Sequence, residues 1–142
     1  MAPSIDALFD RLAIDDLITA YAVAVDQRDW DAMAALFAPD AVLDYTAFDG
    51  PRGTVDEAVA WVAEGLSGFA VSQHLCANRE ISLYPGGDND AARARCAVFN
   101  PLVDHQGRVF SVGGTYEDSL RRTPDGWRFA ERVAKPAWSD FG

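Results

Sequence analysis

Residues 14–31 carry apolar side chains with the period of an α-helix. At a spacing of four residues, two neighbouring stripes contain them: Ile14, Ile18 and Ala22, with Leu17, Tyr21 and Val25 beside them. Asp26 takes the next position of the first stripe, where the pattern favours an apolar residue. A carboxylate there either reaches solvent at the end of the helix or lies at the edge of the core beside a partner.

Capping residues predict where the first helices begin and end. Ser4 can cap a first helix that runs to about Asp26. Asp29 can cap a short second helix, which Pro39 stops because proline cannot continue a helix. The front of the chain is therefore predicted to be helical.

The pattern then predicts one strand, a third helix and four further strands. Residues 41–48 alternate like a strand, and Thr54 with Glu57 forms a capping box for a helix that extends to about Leu66. Turn sequences rich in Gly, Pro, Asn and Asp separate the four later strands: 70–84, 91–103, 108–121 and 127–135. Short turns between successive strands indicate antiparallel hairpins.

This order of elements predicts the α+β class, with three N-terminal helices packed against a curved, mostly antiparallel sheet that wraps around the first helix. The chain shows no internal repeats and no interdomain linker, so residues 1–142 are expected to form one domain. The tail, residues 136–142, carries Trp138 and Phe141 without periodic partners. These aromatic residues dock on their own domain or on a neighbouring subunit, or they belong to a frayed terminus.

The charge balance narrows the class of ligand. With 12 basic and 22 acidic residues, the net charge of -10 opposes binding to nucleic acid or to anionic membranes, so a small organic ligand is expected. No stretch approaches the roughly 20 apolar residues of a membrane span, and the first residues lack a signal-peptide pattern, so a cytoplasmic location is expected. Cys76 and Cys96 lie in predicted strands without metal-ligand spacing, which favours reduced core thiols.

His74 is the first candidate for chemistry. It lies in the middle of the predicted strand 70–84, where Ser72, His74, Cys76 and Asn78 share one small and polar face. Such a face is either solvated or lines a pocket, and the alternation of side chains is compatible with both.

Four further polar residues have two interpretations each. Tyr21 and Tyr45 are either hydrogen-bond donors in a site or core residues with satisfied hydroxyls. Asn100 precedes Pro101 near a strand end, where a role in the turn competes with a role in a site. Arg132 either faces solvent or directs a fixed positive charge into a cavity.

Several common chemistries lack their motifs in this sequence. The chain contains no GxSxG nucleophile elbow, no GxxxxGK[ST] phosphate loop and no GxGxxG motif. With only His74 and His105 as histidines, a three-ligand metal site is not expected, and no organic cofactor is expected either.

Several short motifs together, in their order and spacing, resemble a known family. They are an Ile-x-x-Leu helix that leads into Tyr21 and Asp26, Asp29-Trp30-Asp31, Leu36-Phe37, Pro39-Asp40-Ala41, Leu43-Asp44-Tyr45, Gln73-His74, Asn78, Gly113-Gly114-Thr115-Tyr116 and Asp125-Gly126-Trp127-Arg128-Phe129. Over nearly its whole length the chain resembles the SnoaL-like branch of the NTF2-like superfamily, which contains scytalone dehydratase, bile acid 7α-dehydratase and lindane dehydrochlorinase. The resemblance implies an NTF2-like cone, an α+β barrel.

The resemblance also implies roles for individual residues. Asp26 and His74 match the catalytic aspartate and histidine of these relatives. Tyr21 falls where the bile acid dehydratase has a catalytic tyrosine, and Arg132 matches an active-site arginine of the dehydrochlorinase. Tyr45 falls where scytalone dehydratase has a substrate-binding tyrosine.

One position departs from the pattern. Asn100 stands nearest to the place where scytalone dehydratase has a second histidine, which argues against scytalone as the substrate. The residues expected to bind the substrate are Tyr45, Asn100, Tyr116, Phe48 and Trp61. Their aromatic side chains favour a hydrophobic, cyclic ligand.

The resemblance favours a cofactor-independent lyase of the dehydratase type, in which Asp26 orients His74 and His74 removes a proton from a small carbonyl or hydroxy compound. Two alternatives stay open. The same cavity could serve a ketosteroid-type isomerase or a polyketide cyclase, or the domain could bind a ligand without catalysis. The relatives also imply a homo-oligomer, with a trimer favoured over a dimer.

Overall fold

The computed structural model describes residues 4–142. Each of its three α-helices starts after a residue whose side chain caps the helix. The helices are α1 (Ile5–Asp26), α2 (Trp30–Ala35) and α3 (Val55–Leu66). Ser4 accepts a hydrogen bond from the backbone N–H of Ala7 at 3.1 Å, and Asp29 and Thr54 cap α2 and α3 in the same way. The predicted starts of the helices are confirmed because capping depends on local sequence alone.

Seven strands form one mixed sheet. They are β1 (Phe37–Asp44), β2 (Arg52–Gly53), β3 (Phe69–Ser72), β4 (Leu75–Leu83), β5 (Ala91–Asp104), β6 (Val109–Thr123) and β7 (Gly126–Asp140). The order across the sheet is β2-β1-β7-β6-β5-β3, and β4 also pairs with β5. All pairs are antiparallel except β1 with β7, and the sheet does not close on itself. The α+β class is confirmed, whereas the predicted barrel is an open sheet.

The first strand lies earlier in the chain than predicted. It begins at Phe37, and residues 46–48 of the predicted strand 41–48 form a 3₁₀ turn instead. The prediction that Pro39 stops α2 is wrong, because α2 ends at Ala35 and Pro39 lies inside β1. Proline is tolerated there because the pairing of β1 with β7 shifts between Phe37 and Val42, so no regular ladder bond is lost.

The predicted strand 70–84 is divided into β3 and β4. Gln73 and His74 belong to neither strand, so the prediction that His74 lies mid-strand is wrong. Ser72 and Cys76 are nonetheless buried, as expected for one inward face. Asn78 leaves this face, since it is exposed and adopts a positive φ of 51° where the pairing of β4 with β5 shifts.

Helix α1 lies against β4 and β7, and its apolar stripe forms the centre of the core. Ile14, Ile18 and Val25 are completely buried, together with Leu43 from β1 and Phe129 from β7. The burial of these side chains is the main stabilising contribution to the fold, since each fully buried aliphatic side chain contributes about 1.5–3 kcal/mol.

A polar cluster fixes the N-terminal half of α1 to the strands. Asp10 is buried and accepts hydrogen bonds from Arg122 at 2.8 and 2.9 Å, from Trp127 at 2.9 Å and from the hydroxyl of Tyr84. The hydrogen bonds from Arg122 hold the pKa of Asp10 well below its ordinary value. Asp10 is therefore a charged group at this end of the fold.

The C-terminal tail continues the sheet. Residues 136–140 belong to β7 and pair with β6, and the indole of Trp138 lies directly over Gly113. Phe141 stacks on Phe110 with ring centres 5.6 Å apart. Of the alternatives considered for the tail, the structure shows docking on its own domain.

The cysteines and the hydropathy of the helices can also be compared with the sequence analysis. Cys76 and Cys96 are buried and free, as predicted. No helix within residues 4–142 is long and apolar enough to cross a membrane.

Candidate active site

The carboxylate of Asp26, at the end of α1, holds His74 by two hydrogen bonds. Oδ1 lies 2.6 Å from Nδ1 of the imidazole, and Oδ2 accepts the backbone N–H of His74 at 2.7 Å. Both side chains are largely shielded from solvent, with exposed fractions of 22% and 9% for Asp26 and His74. Because an ionised carboxylate only accepts hydrogen bonds, this contact favours the tautomer with the proton on Nδ1, in which the Nε2 of a neutral imidazole is an acceptor.

Ser72 and Asn100 extend this pair into a network. The hydroxyl of Ser72 donates to Oδ1 of Asp26 at 3.3 Å and lies 3.4 Å from Nδ1 of His74. The side-chain amide of Asn100 lies 2.9 Å from the carbonyl of Gln73 and 3.4 Å from the hydroxyl of Ser72. Asn100 was predicted to bind substrate, but its amide nitrogen is directed at the protein's own chain.

Tyr21 lies beside His74 and joins it to two further tyrosines. The hydroxyls of Tyr21 and Tyr45 are 2.9 Å apart and share a hydrogen bond, and the ring of Tyr21 meets those of Tyr116 and His74 edge to face. Burial raises the pKa of the Tyr45 and Tyr116 phenols well above its ordinary value, so both remain protonated. Protonated phenols at this position can donate hydrogen bonds to a ligand oxygen.

Arg132 does not direct its charge into open space. It is completely buried and forms a bidentate ion pair with Asp118, with distances of 2.7 and 2.8 Å. Its guanidinium lies 4.1 Å from the ring centres of both Tyr21 and Tyr116. Burial alone lowers the pKa of Arg132, but the charge and hydrogen bonds of Asp118 raise it well above its ordinary value.

Asp118 is a residue of this candidate site that sequence reasoning missed. It lies opposite Arg132 in the register of β6 and β7, and both side chains are completely shielded. A signal exists in the sequence, since Asp118 lies two positions from Tyr116 and therefore on the same face of the strand. The Nη1 atom of Arg132 has no hydrogen-bond partner among residues 4–142. The guanidinium instead lies against the faces of the Tyr21 and Tyr116 rings.

A cavity of about 230 Å³ opens beside His74 and the tyrosines. Its walls are mostly apolar and come from the helices, the sheet and the C-terminal tail: Tyr21, Tyr45, Phe48, Trp61, Val62, Gly65, Leu66, Phe69, His74, Val98, Asn100, Leu102, Val112, Gly114, Thr115, Tyr116, Ala134 and Phe141. All five residues predicted to bind substrate line it. Asp26 and Arg132 lie behind this wall, and His105 instead contacts the carbonyl of Ser67 at 3.2 Å.

At the aromatic end of the cavity, the ring of Trp61 packs closely against Tyr45 and Gly50. The rings of Tyr45 and Trp61 lie 5.0 Å apart, centre to centre. Gly50 makes this packing possible, because a Cβ atom there would lie only 2.7 Å from the indole of Trp61. The cavity is thus lined mostly by apolar and aromatic side chains, as is typical of sites that bind small hydrophobic molecules.

Solved structures with this architecture come from several bacteria. A proposed aromatic ring hydroxylase from Novosphingobium aromaticivorans is 29% identical, with a TM-score of 0.81 over 97% of this chain and 93% of that one. A proposed scytalone dehydratase from the same organism is 20% identical, with a TM-score of 0.84 over 96% and 90% of the two chains. A hexachlorocyclohexane dehydrochlorinase, LinA-type3 from Novosphingobium barchaimii, is 18% identical, with a TM-score of 0.81 over 95% and 91%. The last two likenesses show the fold alone.

Sequence comparison gives the family. An uncharacterized protein of Mycobacterium tuberculosis is 38% identical over 133 residues, which cover 92% of this chain and 87% of that protein. The family model of the SnoaL-like domain matches residues 6–133. The chain therefore belongs to the SnoaL-like family of the NTF2-like superfamily.

Proposed function

We propose that the protein is a cofactor-independent lyase of the dehydratase type, which acts on a small, hydrophobic, cyclic carbonyl or hydroxy compound. The observation that carries this proposal is the 2.6 Å contact between Asp26 and His74 at the wall of an apolar cavity. It gives His74 one nitrogen fixed by a carboxylate and one nitrogen free to accept a proton. The helices and the curved sheet would act together as a cone whose interior is the substrate chamber.

In the proposed reaction, Nε2 of His74 removes a proton from the carbon next to the carbonyl group of the substrate. The electron pair of that C–H bond forms the new double bond, and the C–O bond of the hydroxyl on the next carbon breaks. The imidazolium returns the proton to the departing hydroxide, which leaves as water and restores the site. Asp26 stabilises the imidazolium while it exists.

The tyrosine pair would stabilise the charge that develops on the substrate oxygen. Tyr21 and Tyr45 place two hydroxyls 2.9 Å apart at the cavity wall, and both can turn toward an enolate. Arg132 lies beneath the ring of Tyr21 and supports this hydrogen-bond donor without touching the substrate. The names of the structural relatives, a proposed scytalone dehydratase and a dehydrochlorinase, are consistent with an elimination.

The test is His74→Ala against a panel of cyclic β-hydroxy ketones, with formation of the conjugated ketone followed by its ultraviolet absorbance. We expect activity to fall by at least about 10²-fold, the lower range for loss of a general base. His105→Ala is the matched control, since His105 does not line the cavity. A His74→Ala variant that folds and keeps more than about a tenth of the wild-type turnover contradicts the role of His74, given that range.

The same donors would also suit a proton shuttle, as in a ketosteroid-type isomerase or a polyketide cyclase, because the hydroxyl pair stabilises an enolate in either case. Incubation in D₂O separates the reactions. Deuterium in recovered or rearranged substrate without loss of water would favour the isomerase or cyclase. Saturable binding without turnover of any panel compound would favour a ligand-binding module.

We also propose a homo-oligomer, with a trimer favoured, assembled through the outer face of the sheet. One row across the strands contains Leu75, Phe99 and Trp138. Phe99 pairs with Leu75 on one side and with Gly113 on the other, and Gly113 in turn pairs with Trp138. All three large side chains are about half exposed. A row of this kind on a rigid sheet is typical of a protein interface.

A further inference from the structure

Two residues between β3 and β4 lack the usual support of a strand. Both strands pair with β5, but Gln73 and His74 lie between the two ladders. Within residues 4–142, their only hydrogen bond from backbone to backbone runs from Gln73 N–H to the carbonyl of Pro101, at 3.1 Å. The position of the imidazole therefore depends on side-chain hydrogen bonds.

Two side chains bind the peptide group between Gln73 and His74 from opposite sides. Asp26 accepts the backbone N–H of His74 at 2.7 Å, and the amide nitrogen of Asn100 donates to the carbonyl of Gln73 at 2.9 Å. The hydroxyl of Ser72 connects the two, at 3.3 Å from Asp26 and 3.4 Å from Asn100. Together the three side chains replace the missing ladder around His74.

The orientation of the Asn100 amide follows from its neighbours. Its nitrogen faces the carbonyl oxygens of Gln73 and Pro101, at 2.9 and 3.4 Å. The opposite orientation would place an oxygen against two oxygens, so this arrangement is the stable one. The two N–H groups of Asn100 are thus directed into the chain, although the residue lines the cavity.

We infer that Asn100 is a positioning residue, which holds the Gln73–His74 segment in register with Asp26, rather than a residue that binds substrate. This inference rests on the proposed function only in that His74 is the group being positioned. A general base displaced by about 1 Å can lose roughly 10²-fold in rate, so such a clamp has a large effect without touching the substrate.

The decisive experiment needs no substrate. Asn100→Asp has the same shape but replaces the donor with an acceptor, which the carbonyl of Gln73 repels. We expect NMR of the unliganded variant to show a displaced or lost signal for the Nδ1 proton that His74 shares with Asp26. The imidazole ¹⁵N shifts should also move toward a mixture of tautomers.

Asn89→Asp is the matched control, because it adds the same charge at an exposed turn beside the N-terminal turns of α1, whereas Asp26 and His74 meet at the C-terminal end of that helix. It should leave the His74 signals unchanged. Unchanged His74 signals in Asn100→Asp overturn the inference. Ser72→Ala tests the same chain of hydrogen bonds from its other end, so the inference remains testable if Asn100→Asp does not fold.

Kinetics distinguish positioning from substrate binding. A positioning role predicts that kcat falls by about 10- to 100-fold while KM changes little. A rise in KM alone, with kcat preserved, overturns it. If no compound of the panel is turned over, the proposed function fails while the NMR result still decides whether Asn100 positions His74.

Discussion

The guanidinium of Arg132 lies 4.1 Å from the ring centres of Tyr21 and Tyr116, and its counter-ion Asp118 is as completely buried as Arg132 itself. Removal of one member of such a pair leaves an unpaired charge in the interior. We expect Arg132→Met to lower the free energy of unfolding by about 3–5 kcal/mol, measured by urea denaturation. The stability would be lost because the carboxylate of Asp118 would remain buried without a counter-ion.

The double variant Arg132→Met with Asp118→Leu is the control for this explanation. Replacement of both charges by apolar side chains is often close to neutral, so most of the lost stability should return. Activity should not return, because the cation beneath Tyr21 would still be absent. A double variant as unstable as Arg132→Met would show that packing, and not the unpaired charge, causes the loss.

Sequence reasoning identified the individual residues of the site better than their contacts. Asp26 occupied an apolar stripe and His74 a polar face, but each had a solvated alternative, and only the family resemblance joined them. Their contact spans 48 positions in the chain and depends on the break between β3 and β4. A pattern of alternating side chains does not predict such a break.

Asp118 shows the same limit in a hairpin. Thr123 of β6 pairs with Gly126 of β7. If the pairing continued without a break, Asp118, five residues before Thr123, would lie opposite Glu131, five residues after Gly126. The register shifts by one residue between Ser119 and Leu120, and this bulge brings Arg132 opposite Asp118 instead. One inserted residue therefore decides whether the carboxylate has a partner.

At the scale of elements, Asp10 joins helix α1 to β6 and β7 through Arg122 and Trp127. We expect Asp10→Asn to lower the free energy of unfolding at neutral pH by about 2 kcal/mol, because the replacement loses charged hydrogen bonds while Arg122 stays partly solvated. The measurement is urea denaturation of both proteins over a series of pH values.

The sign of the pH dependence follows from the lowered pKa of Asp10 in the folded state. A carboxyl group of this kind stabilises the fold fully above its unfolded pKa of about 3.9, and the contribution is lost as the pH falls toward the folded pKa. The difference between wild type and Asp10→Asn should therefore be constant near neutral pH and shrink below about pH 4. A difference that stays constant down to low pH would contradict this explanation.

Asp40→Asn is the matched control, since the exposed pair of Asp40 with Arg121 has a similar contact distance but is screened by solvent. Its unfolding curve should stay close to that of the wild type. The contrast tests whether burial, rather than ion pairing alone, gives Asp10 its effect on stability.

The starts of the helices, which depend on local chemistry, were predicted well, and the strands, which depend on pairing, were predicted less well. The caps of the three helices are set within three residues by Ser4, Asp29 and Thr54. The extent of β7 is different, because residues 136–140 join the strand only through their pairs on β6. The tail has no alternating pattern of its own, so its sequence did not predict a strand.

At the scale of the whole molecule, the open sheet leaves an outer face that the helices do not cover. Two apolar surfaces compete as sites of assembly. One is the row of Leu75, Phe99 and Trp138 across four strands. The other is the outer stripe of α1, whose exposed members are Ile5, Leu8, Phe9 and Leu12. The row on the sheet is the more rigid surface, because neighbouring strands fix each side chain in register.

One substitution at each surface distinguishes them. Phe99→Lys places a charge in the middle of the row on the sheet, and Phe9→Lys places the same charge on α1. We expect the wild type and Phe9→Lys to elute as trimers and Phe99→Lys as a monomer of 15.4 kDa in size-exclusion chromatography with light scattering. A monomeric wild type would contradict assembly altogether. Dissociation by Phe9→Lys, with Phe99→Lys still assembled, would assign the interface to α1, because a buried unpaired charge disrupts only the surface that carries it.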